Sequence, residues 1–239
     1  VIGAASIETD WTTLSNLRSY HFIKTGPETA PPLVFLNGYA DSWRSAEPLI
    51  PHLARHFRIF ALDQRGHGQS DDDFDRFTID DFAADAADFI RWVIGRPVTL
   101  VGHSLGSLVA QRVAAENKDL VSRLVLIGSA DSAAGSPALK ALHEALITLG
   151  DAIPRSFVQD FQAGMISVPL FLDQLAIFAS ESLRVSPIVW RKTMESLVAD
   201  GKVVAARIAA PTLVLWGAED SVFNVEAQQR LAALLKDGR

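Results

Sequence analysis

The chain is 239 residues long, room for one large domain or one domain carrying an insertion. Hydrophobic residues make up 49% and charged residues 21%, a globular balance that excludes a disordered, collagen-like or low-complexity chain. Basic residues number 22 and acidic residues 28, so the net charge of −6 repels nucleic acid and anionic lipid, and no basic run offsets it.

Val1 to Asp10 has neither a basic start nor a long apolar run, so no signal peptide is expected there and a cytoplasmic location is the default expectation. Tyr20 to Lys24 alternates weakly and reads as an antiparallel edge strand. Near-continuous apolar runs follow at 33–36, 58–62, 98–101, 124–127 and 212–216, each closed by Asn-Gly, Gly or Asp. Strands buried on both faces of a parallel sheet read this way. Between them lie helical patterns. Over 78–94, Thr78 and Asp81 have capping-box spacing, and Phe82, Ala86, Phe89, Ile90 and Val93 recur at helical intervals. Residues 104–116 read as a helix of small residues suited to close packing on a sheet. The alternation predicts an α/β fold, a mostly parallel central sheet flanked by helices.

Residues 129–210 are too many for a plain crossover. Helical patterns at 139–149, 157–166, 170–178 and 188–198 carry large apolar residues, among them Phe157, Phe161, Met165, Phe171, Phe178 and Trp190. The segment 131–210 is expected to be a helical cap over the carboxyl ends of the strands, where open α/β sheets hold their sites. The core is then 1–130 and 211–239. No apolar stretch is long enough for a membrane-spanning helix.

Gly102-His103-Ser104-Leu105-Gly106 carries the chemistry. It joins a predicted strand to a predicted helix, so Ser104 sits on a tight turn whose flanking glycines admit neighbouring backbone. The turn exposes the hydroxyl and leaves the next backbone N–H free at a helix N-terminus, where it can stabilise an anion.

With this elbow the chain resembles the α/β-hydrolase superfamily, along nearly its whole length. Leu36-Asn37-Gly38-Tyr39 is similar to the family's oxyanion loop after the third strand. Asp63-Gln64-Arg65-Gly66-His67-Gly68-Gln69-Ser70 is similar to the loop after the fourth, and Leu215-Trp216-Gly217-Ala218-Glu219-Asp220 to the strand end presenting the catalytic acid. The closest pattern is that of capped esterases, lactonases and carbon–carbon hydrolases, with the cap inserted after the sixth strand. Serine sets it apart from the dehalogenases and epoxide hydrolases that use an Asp nucleophile. The resemblance implies Ser104 as nucleophile, the N–H groups of Tyr39 and Leu105 as the oxyanion hole, and Asp220 as the acid orienting a base. Asp131, where some relatives carry the acid, is the alternative.

The family's order is Ser, acid, His, yet residues 221–239 contain no His. The expectation is that the last strand, with the base, lies beyond Arg239. Among the histidines present, His103 is expected to point away from Ser104, His67 belongs to a loop signature, His143 lies in the cap, and His21, His52 and His56 read as surface or packing residues. Asn37 is expected to pin the oxyanion loop, Arg65 to anchor its own loop, and Asp71-Asp72-Asp73 with Asp75 to be a solvated acidic loop lacking calcium-site spacing. Trp43, Phe223 and the cap aromatics are pocket candidates, though each such residue is more often plain core.

No phosphate-loop or dinucleotide motif occurs, and no metal-ligand spacing, so no cofactor and no metal are expected. The chain has no cysteine, which excludes disulfides and thiolate chemistry. The expected function is a serine hydrolase of a small, fairly apolar ester or lactone, with no nucleic-acid or membrane partner; the sequence does not set the oligomeric state. The alternatives are a carbon–carbon hydrolase of ring-cleavage products, a non-catalytic ligand-binding relative, and an interaction protein using an exposed sheet edge.

Overall fold

The computed structural model describes residues 6–166 and 172–238. Seven strands form one sheet: β1 (Glu8–Thr13), β2 (Ser19–Thr25), β3 (Pro32–Leu36), β4 (Arg58–Leu62), β5 (Val98–His103), β6 (Val121–Ile127) and β7 (Thr212–Leu215), in the order β1-β2-β4-β3-β5-β6-β7. The β1–β2 and β2–β4 pairs are antiparallel and the remainder parallel. The mostly parallel sheet expected from the apolar runs is present.

Alternation along each strand sorts the core into two layers. On β3, Leu33 and Phe35 pack with Trp43, Ala46 and Ile50, from a 3-10 helix (Trp43–Leu49) and the short α1 (Ile50–Leu53). Val34 and Leu36 face the opposite layer, covered by α2 (Ile79–Phe89) and α3 (Leu105–Glu116). Thr78 and Asp81 make the expected capping box at the start of α2. The predicted helix over 78–94 does not run on unchanged: Ile90–Ile94 widens into a π turn, closed by Gly95 in the left-handed region.

The expectation that Tyr20–Lys24 forms a sheet edge is corrected. β1 pairs along its whole length with β2 and takes the edge, so β2 lies inside. β1 escapes sequence reading because its six residues include one large apolar side chain, Trp11, which is half exposed.

Between β6 and β7 come four helices, α4 (Pro137–Leu149), α5 (Arg155–Gly164), α6 (Leu172–Arg184) and α7 (Pro187–Ala199), matching the four helical patterns read from sequence. Phe171 lies outside the described residues. Buried Arg112 on α3 bonds Asp80 on α2 and, at 3.0 Å, Asp200 just after α7, anchoring the return of this segment to the core. The helix α8 (Val225–Leu234) follows β7.

Candidate active site

β3 lies between β4 and β5, so the chain's winding reverses there, and the carboxyl ends of β3 and β5 border the resulting crevice. Ser104 stands immediately after β5 with φ 50° and ψ −117°, a conformation that costs a non-glycine residue roughly 1–3 kcal/mol. Its N–H donates to Ile127 O at the end of β6 (3.0 Å), and its carbonyl accepts from the Ser107 hydroxyl (2.6 Å). The Ser104 side chain is half-buried, and its Oγ hydrogen-bonds no protein group among the described residues. The flanking glycines are sterically required. A Cβ on Gly102 would fall 2.2 Å from the Gly106 carbonyl oxygen, and one on Gly106 would fall 2.3 Å from that of Leu36.

The Asn37–Ala40 loop packs against this turn: a Cβ on Gly38 would stand 3.5 Å from Ser104 Cβ and 3.0 Å from His103 Nδ1. Asn37 Nδ2 donates to Gly38 O (2.9 Å) and Asp41 O (3.1 Å), pinning the loop. Ala40 adopts φ 55°, and its N–H donates to His67 Nε2 (3.2 Å). His67 Nδ1 faces Arg65 O at 2.8 Å, so that nitrogen carries the proton. Burial holds the His67 imidazole below its usual range, and it serves as a neutral strut. The backbone N–H groups of Tyr39 and Leu105 meet no protein acceptor among the described residues.

Asp220 lies past the end of β7. Its Oδ1 accepts from the N–H groups of Val222 and Phe223, each at 2.9 Å. Its Oδ2 lies 3.6 Å from where a Cβ on Gly128 would stand, at the end of β6. The other acid candidate, Asp131, is paired with Arg230 at 3.1 Å. His103 is near enough to feel the Asp220 carboxylate, yet burial outweighs that and lowers its pKa. No imidazole among the described residues hydrogen-bonds Ser104 or Asp220.

Arg65 anchors its loop as expected, with Nε and Nη2 on the two oxygens of Asp85 (2.6 and 2.7 Å). His21 is a buried packing residue held to Asp63 at 2.7 Å. Trp43 and Phe223 are buried in the core clusters, which argues against a pocket-lining role for either. Among the described residues no three His, Asp or Glu side chains gather as a metal ion would need, and no helix is long and apolar enough to cross a membrane.

Three features were not legible in the sequence. Ser182 on α6 donates to Ala40 O at 2.7 Å, and Tyr39 Oη donates to Trp190 O on α7 at 2.6 Å. Asp41 lies next to the loop, and burial raises its carboxyl pKa to about 7. The available signal for Ser182 was a polar residue three positions after buried Ala179, on an inward helical stripe.

A sequence model described as the alpha/beta hydrolase fold matches residues 31–239. The (E)-2-((N-methylformamido)methylene)succinate hydrolase of Acinetobacter baylyi is 29% identical over 94% of this chain and 85% of its own. The bifunctional esterase/perhydrolase DCH of Acinetobacter calcoaceticus is 29% identical over 90% and 83%. The solved structure of a hydrolase from Pseudomonas aeruginosa superposes with a TM-score of 0.84 at 23% identity, covering 100% of this chain and 89% of that one.

Proposed function

The chain belongs to the α/β-hydrolase fold family and is a hydrolase, and from that premise we propose that it cleaves a small, fairly apolar carboxylic ester or lactone through an acyl-enzyme on Ser104. The observation that carries this is the strained turn at residue 104, beside the amides of Tyr39 and Leu105, which meet no acceptor among the described residues.

Ser104 Oγ attacks the carbonyl carbon as its proton passes to an imidazole. The carbonyl oxygen becomes an oxyanion facing the Tyr39 and Leu105 N–H groups, and losing one such donor costs on the order of 10²–10³ in turnover. Collapse expels the alcohol, which takes its proton from the imidazolium. Water then attacks the acyl group by the same route, releases the acid and restores Ser104. Asp220 Oδ1 is already occupied by two amides, leaving Oδ2 to orient the base. The helices α4–α7 act as a cap, in that Ser182 and Trp190 reach the oxyanion loop. The esterase name of the A. calcoaceticus relative supports acyl chemistry of this kind.

β7 forms one edge of the sheet. Leu213, Leu215 and Trp216 are exposed there, and a groove of about 280 Å³ runs past Val214, Trp216, Val225, Gln228 and Leu235. Thr212 N–H donates to Asp237 O at 2.9 Å, and Gly238 bridges Thr212 in the parallel sense. A ligand-binding relative without turnover is the second reading, favoured by the lack of any imidazole on Ser104 or Asp220 among the described residues.

The test is hydrolysis of a p-nitrophenyl acyl ester series by protein expressed from its complete reading frame. Turnover that falls to background in Ser104→Ala supports the ester hydrolase. Tight ligand binding with no turnover selects the second reading, and turnover of vinylogous diketone ring-cleavage products without ester cleavage selects a carbon–carbon hydrolase.

A further inference from the structure

The oxyanion loop is held from two sides. From the core, Asn37 Nδ2 binds Gly38 O and His67 Nε2 receives the Ala40 N–H. From the cap, the Ser182 hydroxyl donates to Ala40 O at 2.7 Å and accepts from Gln162 Nε2 at 2.7 Å. The indole of Trp190 donates to Ser182 O at 3.3 Å, while its own carbonyl accepts the Tyr39 hydroxyl at 2.6 Å. Ser182 and Trp190 are fully buried, and Gln162 and Tyr39 nearly so. Water therefore has little access to replace these bonds.

We propose that Ser182 is a positioning residue for the reaction, which with Trp190 couples the seating of the cap to the aim of the Tyr39 N–H. This rests on the assignment of Ser104 as nucleophile and adds a determinant outside the Ser104, Asp220 and amide set. Ala40 sits at φ 55°, where an L-residue stays only if its surroundings hold it. The bond to its carbonyl is one such restraint. Without it a buried carbonyl loses its donor, and the peptide regains one by rotating out of the strained conformation. That rotation turns the preceding peptides, which include the Tyr39 N–H. The oxyanion hole is then formed only while α6 and α7 are docked, so a displaced cap leaves Ser104 present but unassisted. The lost restraint acts on a donor to the oxyanion, so the effect falls on the transition state rather than on substrate affinity.

The test uses Ser182→Ala and Tyr39→Phe, each of which removes one cap-to-loop bond and adds no bulk. Expected is a fall in kcat of about 10- to 100-fold with KM within about twofold of the parent, a partial loss of one oxyanion donor. Amide hydrogen exchange at Tyr39 and Ala40, read without substrate, is expected to speed up in both. Phe89→Leu, a cavity under buried α2 away from the cap, is the comparison: it lowers the melting temperature and leaves both the loop exchange and kcat unchanged. Unchanged kcat and exchange in Ser182→Ala and Tyr39→Phe would overturn the proposal, as would a rise in KM at constant kcat. Failure of the nucleophile assignment is seen separately, as full turnover in Ser104→Ala with the exchange result unaffected.

Discussion

Gly106→Ala probes the packing that brings the two amides together. A Cβ at 106 would lie 2.3 Å from Leu36 O, 2.6 Å from Asn37 O and 2.7 Å from Leu36 C, all backbone atoms that no rotamer change can move. Real Cβ contacts essentially never fall below 3.0 Å, so β3's end and the start of α3 must separate by at least 0.7 Å. Overpacking of this kind costs about 1–3 kcal/mol. In a domain of this size that lowers the melting temperature by roughly 2–12 °C. The same displacement pulls the Tyr39 amide away from the Leu105 amide, and a misplacement near 1 Å costs about 10²-fold in rate. Thermal unfolding by circular dichroism and ester turnover measure the two effects. Gly164→Ala is the control, since it closes α5 with no atom within 4 Å of its added Cβ; it should be neutral or stabilise by up to about 1 kcal/mol. A Gly106→Ala protein with parental melting temperature and turnover would refute the packing argument.

Asp41→Asn should stabilise the protein in a pH-dependent way. Burial lifts the Asp41 carboxyl to about 7, with Glu181 and Asp63 adding repulsion against the Ser42 N–H and Ser45 hydroxyl. The folded state therefore holds a proton that the unfolded chain, near pKa 3.9, releases. The sign follows: stability linked to Asp41 is fully present below about pH 4, declines as pH rises to about 7, and is flat above. The variant should match the parent at pH 4 and exceed it by about 2–4 kcal/mol at pH 8 in denaturant melts; equal stability at both pH values contradicts the burial argument. Asp220→Asn should cut kcat by roughly 10⁴ with little change in melting temperature, whereas Asp131→Asn, which loses an exposed pair with Arg230, should leave kcat within about twofold. The reverse ranking would move the acid to Asp131.

What could be read from sequence was what is encoded locally. The five parallel strands are short apolar runs with sharp ends, although β7 leaves Leu213 and Leu215 exposed where burial on both faces was expected, and the elbow packs its chemistry into five consecutive residues. Gly102 and Gly106 are legible because their neighbours are their own turn and β3. β1 was missed because an exposed edge strand such as Glu8–Thr13 needs no apolar face. The π turn at Ile90–Ile94 was missed because one extra residue per turn leaves the apolar pattern of 78–94 nearly unchanged. Ser182 and Asp41 carry no motif: the Ser182–Ala40 bond joins residues 142 positions apart, and the raised pKa of Asp41 comes from what folds around it. Trp43 and Phe223, read from sequence as more often core than pocket, lie in the core clusters.

The central claim, that Ser104 is a nucleophile served by the amides of Tyr39 and Leu105, is tested most directly by reacting protein expressed from its complete reading frame with an alkyl fluorophosphonate. Intact-mass and peptide analysis should find one phosphonate, on Ser104, with the phosphoryl oxygen between the two amides in a structure of the adduct. No adduct, or an adduct on any other residue, would contradict it.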